Sequence, residues 1–208
     1  MCINLLWWPD GPEISEFYWR DLHENYDWDT EVAKIDVGGG VYTMDIPGGT
    51  TVLDPFKVGP MWVNGTLKIK GKGFVELTGT IYTTGGFETE SNPDYALLLN
   101  HNTIFAEGSI VIDPGIDVFQ AGCIVALGDL DYQPNLSSDD FVFLMSLAGI
   151  VKLRPGGDFI GSVAGQASVE LLPGTSLVHP PEVPDGLNFP QGEFELSEYW
   201  GIVSWEIG

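Results

Sequence analysis

Three histidines, two cysteines, one glycine-flanked serine and a run of aspartates are the residues of this chain whose chemistry could amount to a reaction. His23, His101 and His179 are scattered, and no pair stands at a metal-ligand spacing. Neither a Cys-x-x-Cys, an HExxH nor an Asp-x-Asp-x-Asp-Gly loop occurs, so no metal and no cofactor is expected. Ser162, in Gly161-Ser-Val-Ala-Gly165, echoes a nucleophile elbow. That motif needs a strand-to-helix turn with Asp and His partners, and here it falls between strands of a repeat, so no catalytic residue is assigned. Gly38-Gly-Gly40 is not followed by a phosphate-loop lysine and reads as a turn. Asp113, Asp117, Asp129, Asp131, Asp139 and Asp140 keep a carboxylate pair of glycosidase type as an alternative, but Arg20 and Arg154 are the sole arginines that could clamp an acidic glycan.

The candidate ligand contacts are aromatic. Trp62, Tyr82 and Phe105, continued by Val125, each stand three residues before a recurring glycine and form an outward column if strict alternation holds. Such a stripe suits stacking on sugar rings or on a partner chain. The competing reading is that an N-terminal helix or an aromatic tail lies over it.

The elements that position this column come from a repeat. Gly108-Ser-Ile-Val-Ile-Asp-Pro-Gly115, Gly128-Asp-Leu-Asp-Tyr-Gln-Pro-Asn135 and Gly149-Ile-Val-Lys-Leu-Arg-Pro-Gly156 share one template, and Gly65-Thr-Leu-Lys-Ile-Lys-Gly71 fits without the proline. The anchoring glycines are 65, 85, 108, 128, 149 and 165. Each unit reads as strand, glycine bend, strand and turn, too small to bury its apolar side alone. Units of about 20 residues must therefore stack, which predicts an all-β, right-handed parallel β-helix in preference to an antiparallel sandwich. Leu67, Phe87, Ile110, Leu130, Val151 and Ala167 should form one inward ladder. Ile69, Thr89, Ile112, Tyr132, Leu153 and Val169 should form a second. Outside, Lys68 should stand over Glu88, Lys70 over Glu90 and Asp131 over Lys152.

Around that stack the sequence predicts an N-terminal cap and lead-in over 1–60, a β-helix over 61–178, and a proline-rich exit with an aromatic tail over 179–208. The cap is expected to hold one amphipathic helix at 13–25, where Ile14, Phe17, Tyr18 and Leu22 fall at helical spacing after Pro12. Lys and Arg total 8 against 30 Asp and Glu, a formal charge of −22, so a nucleic-acid partner and direct membrane binding are not expected. No apolar run approaches the ~18 residues of a membrane span. Met1 to Trp8 lacks a basic start and a cleavage site, and the expectation is an ectodomain whose anchor or signal lay upstream. Cys123 reads as a buried free thiol rather than half of a Cys2–Cys123 bridge. Asn64 and Asn135 head glycosylation sequons by pattern.

The runs Asn64-Gly-Thr-Leu-Lys-Ile-Lys-Gly71, Gly79-Thr-Ile-Tyr82, Gly122-Cys-Ile-Val-Ala-Leu-Gly128 and Phe143-Leu-Met-Ser-Leu-Ala-Gly149, with Leu187-Asn-Phe-Pro190 and Trp205-Glu-Ile207, resemble the β-helical ectodomains of bacterial type IV pilin-like surface proteins. They are more distantly similar to bactofilin-type polymer-forming domains. The pilin-like resemblance covers about 10–208 and implies an upstream prepilin helix, no cofactor and no catalytic residue. The function expected is that of a non-enzymatic, extracellular or cell-surface β-helix, structural or adhesive and pilus-associated, with a glycan or another surface protein as partner. A glycan-binding or glycan-cleaving solenoid and a self-polymerising scaffold are the alternatives.

Overall fold

A computed structural model of the chain describes residues 33–92, 94–137 and 140–178. The expected helix at 13–25, the tail from 179, Cys2, His23, His179 and Asp139 lie outside the described residues. Among the described residues there are seventeen strands and no helix. The first turns are built from β1 (Ala33–Ile46), β2 (Phe56–Val58), β3 (Met61–Gly71), β4 (Gly73–Leu77), β5 (Ile81–Thr83) and β6 (Phe87–Thr89). Next come β7 (Tyr95–Leu98), β8 (Thr103–Ala106), β9 (Ile110–Ile112), β10 (Asp117–Phe119), β11 (Gly122–Ala126) and β12 (Leu130–Tyr132). The stack ends with β13 (Val142–Ser146), β14 (Ile150–Leu153), β15 (Asp158–Gly165), β16 (Ser168–Leu171) and β17 (Ser176–Val178).

All of the strand-to-strand pairings are parallel, and together they make a β-solenoid of about six turns. The front face runs β1, β3, β5, β8, β11, β13, β15. The side face runs β1, β3, β6, β9, β12, β14, β16. The third face is the four-stranded sheet β2, β4, β7, β10. Long strands β1 and β3 serve both of the first two faces, bending between them at glycines.

Glycine is required at that bend because successive turns touch there backbone to backbone. Gly85 N donates to Gly65 O at 2.9 Å, Gly108 N to Gly85 O at 2.7 Å and Gly128 N to Gly108 O at 3.0 Å. A Cβ on Gly85 would stand 2.7 Å from the carbonyl carbon of Gly65, and one on Gly108 would stand 2.9 Å from that of Gly85. The spacing of the anchoring glycines is thus the spacing of the turns.

The inward ladders fill the interior. Leu67, Phe87, Ile110, Leu130 and Val151 stand in line, and all are fully buried. Burying one such side chain contributes roughly 1.5–3 kcal/mol, and a parallel sheet covered on its inner side repeats that gain at every turn. The sixth rung differs from expectation: Val169, not Ala167, stacks on Val151, and Leu171, not Val169, stacks on Leu153. The last copy carries two extra residues, which advance its register by two.

One further difference from expectation lies at the start of the stack. The solenoid begins by Ala33 rather than at 61, because β1 already lies parallel on β3. Its register shifts between Asp36 and Val41, where Gly38 and Gly39 take positive φ and form a bulge that hides the repeat template. Lys68 pairs with Glu88, at 3.7 Å, and Lys70, next to the Ile69–Thr89 pair of the expected register, is ion-paired to Asp45 of the preceding turn at 3.2 Å. Asp131 stands beside Lys152 in register, as expected.

Candidate binding face

The front face alternates strictly. Ile81, Ile104, Ile124, Leu144 and Val163 point into the core, and the residues between them point out. Register places Trp62 beside Tyr82, Tyr82 beside Phe105, Phe105 beside Val125, and Val125 beside Met145 and then Ala164. The Tyr82 and Phe105 rings are stacked, 6.0 Å between centroids and 12° between planes. A second outward row sets Thr103, Cys123, Phe143 and Ser162 side by side. Leu127 and Leu147 complete the apolar surface.

This surface faces outward, yet it is not open to water. Tyr82 and Phe105 are 0% exposed, Val125 is 1% exposed, and Thr103 and Cys123 are fully buried. Trp62 is half-buried. Tyr82, Phe105, Val125 and Leu147 form a second apolar cluster, separate from the interior one, with Trp62 packed against it. A sugar ring needs an uncovered aromatic face, and Tyr82 and Phe105 offer none in this arrangement.

Burial sets the chemistry of the polar groups here. It raises the Tyr82 hydroxyl far above its ordinary value, and the hydrogen bond that hydroxyl donates to Glu107 Oε1, at 2.6 Å, acts in the same direction with the carboxylate's charge. The Cys123 thiol is pushed up to about 12 by burial, opposed by a hydrogen bond with Thr103. At neutral pH it is a protonated, inert thiol.

The other candidates from the sequence are placed as follows. His101 sits in a turn at positive φ, away from the front-face column. Ser162 lies within a strand, beside Phe143, and not at a strand-to-helix turn. Several acids serve the stack: Asp129 Oδ1 accepts from Ile150 N at 3.0 Å, and Asp117 Oδ1 accepts from Asn135 Nδ2 at 3.0 Å. Asn64 donates to Asp36 Oδ1 at 2.8 Å and accepts from Thr84 at 3.0 Å, so the amides of both sequon asparagines are engaged between turns. Asp113 is held above the usual carboxylate range by burial; Lys68 opposes this, and the nearby Glu88, Asp131 and Glu90 charges reinforce it.

One cleft of about 370 Å³ opens where the side and third faces meet, which the sequence reading missed. Thr50, Lys72, Phe74, Asp94 and Asp117 line it. Lys72 and Asp94 are ion-paired at 2.9 Å, and Thr50 Oγ1 accepts from Phe74 N at 2.8 Å. Asp117 is already bonded to Asn135, so the polar groups of this shallow, open cleft are all engaged. Comparison with protein-family models, curated proteins and solved structures finds no match.

Proposed function

We propose that this protein is a non-enzymatic structural β-solenoid of the cell surface, a rigid acidic spacer that displays or joins other surface components. The observation that carries the reading is where its polar side chains are directed. Asn92 Nδ2 donates to Gly71 O at 2.8 Å, Asn102 Nδ2 to Leu77 O at 2.9 Å, Ser146 Oγ to Gly128 O at 2.7 Å and Thr175 Oγ1 to Leu153 O at 3.1 Å. Each bond spans about one turn and ties the corner of one coil to the next. Hydrogen bonds to buried or half-buried backbone are stabilising by roughly 0.5–1.5 kcal/mol each, and here they repeat along the axis. Seven strands on the side face give a rod about 29 Å long at ~4.8 Å per step. Likeness to the ectodomains of type IV pilin-like proteins agrees with display on a surface fibre.

The test is protease shaving of intact cells that make the protein, followed by mass spectrometry, with the purified chain assayed on a polysaccharide panel. Surface peptides and no turnover are expected. Recovery from the cytosol alone, or cleavage of any glycan, overturns the reading.

A further inference from the structure

The turn at 51–54, between β1 and β2, carries side chains that neither its backbone nor the core requires. Thr51 N donates to Asp54 O at 3.2 Å and Asp54 N to Thr51 O at 3.1 Å, and Asp54 N also reaches Thr51 Oγ1 at 3.2 Å. Val52 and Leu53 are therefore the two central residues of a closed turn. Such positions ordinarily hold Gly, Pro, Asn, Asp or Ser, whose side chains suit the bent backbone or bond to it. Here both are large and apolar, and both stand in water: Leu53 is 93% exposed and Val52 58%. They are placed for contact with another surface.

We propose that Val52 and Leu53 form a prong through which two copies of the chain pair, each seating Leu53 in the cleft of the other. The prong rises from the wall of that cleft, since Gly49 and Thr50 line it and Thr50 Oγ1 accepts from Phe74 N. Knob and socket thus lie on one patch. A two-fold interface needs this, because the same surface of each copy must serve in both roles. The cleft also suits an apolar guest. Its polar groups are bound to one another or to Asn135, which leaves a polar ligand little to hold. Phe74 and Ala96, adjacent in register, supply apolar wall, and about 370 Å³ leaves room for a leucine side chain. Charge limits the strength of the pairing. Asp54, Asp94 and Asp117 outnumber Lys72 around the cleft, and each chain carries a formal −22, so two copies repel until salt screens them.

Sedimentation equilibrium of the full chain tests the pairing. An interface this small is a weak one, so a monomer–dimer equilibrium with a dissociation constant on the order of 0.1–1 mM is expected at about 0.5 M salt, weakening as salt is lowered. Leu53→Asp should weaken it by about tenfold or more with the far-ultraviolet β signal kept, and Leu53→Met should retain it. Position is read by cross-linking. Chains carrying Leu53→Cys and Lys72→Cys, each with Cys2→Ser, are mixed and oxidised, Cys123 being buried. A disulfide joining the two substituted positions across unlike chains is expected by mass spectrometry. A chain that stays monomeric at about 1 mM, a Leu53→Asp variant that pairs like the parent, a mass that grows past the dimer, or disulfides chiefly between two Leu53→Cys chains overturns the proposal.

Discussion

Asp113 shows what burial does to a single residue. Its carboxyl keeps its proton to higher pH in the folded chain than in the unfolded one, chiefly because it is partly buried and also because Glu88, Asp131 and Glu90 stand near. A group with a raised folded value favours the fold while protonated, and that contribution is lost as pH rises from the ordinary carboxylate value through the folded one. At pH 7 Asp113 is therefore a liability, moderated by Lys68. Asp113→Asn is expected to raise the melting temperature by about 1–3 °C at pH 7, with no difference at pH 3, where both states are protonated. Differential scanning calorimetry at the two pH values checks the sign.

At the scale of elements, the glycine bend decides how closely two turns approach. Gly85→Ala must push Gly65 and Thr66 aside, since the added Cβ would lie 2.7–2.8 Å from their backbone atoms. A cost of about 1–3 kcal/mol is expected from urea unfolding. Gly157→Ala, with nothing within 4 Å of its Cβ, is expected to be near neutral. These bends are also why so much of the fold is legible in the sequence: Leu67, Phe87, Ile110 and Leu130 share a line because each follows an anchoring glycine by two residues. The third face escaped notice because β4, β7 and β10 have no common punctuation, although Val75, Leu97 and Val118 lie in register. The Gly38–Gly40 bulge concealed β1 in the same way. The candidate column was legible in its alignment but not in its exposure. Alternation says that Tyr82 and Phe105 point outward, and only the packing of distant chain says whether water reaches them.

For the molecule as a whole, charge is the dominant long-range term. Thirty acids against eight bases repel one another across a narrow rod, while the pairs Lys68–Glu88 and Lys70–Asp45 are exposed and contribute little. Salt screens the repulsion more than it weakens these pairs. Raising the ionic strength from about 10 mM to about 0.15 M, which shortens the screening length from ~30 Å to ~8 Å, is expected to raise the melting temperature, as read by circular dichroism. A fall would mean that attractive pairs dominate.

The contacts between Gly65, Gly85, Gly108 and Gly128 have one more consequence. Because these coils meet one another through the same corner, they are interchangeable parts. Excising residues 108–127 splices Glu107 to Gly128 at equivalent corners, so that Leu130 lands on Phe87 in place of Ile110. The shortened chain should still fold, with its scattering length reduced by one ~4.8 Å step. Length in this molecule is a count, alterable by whole numbers without redesigning what remains.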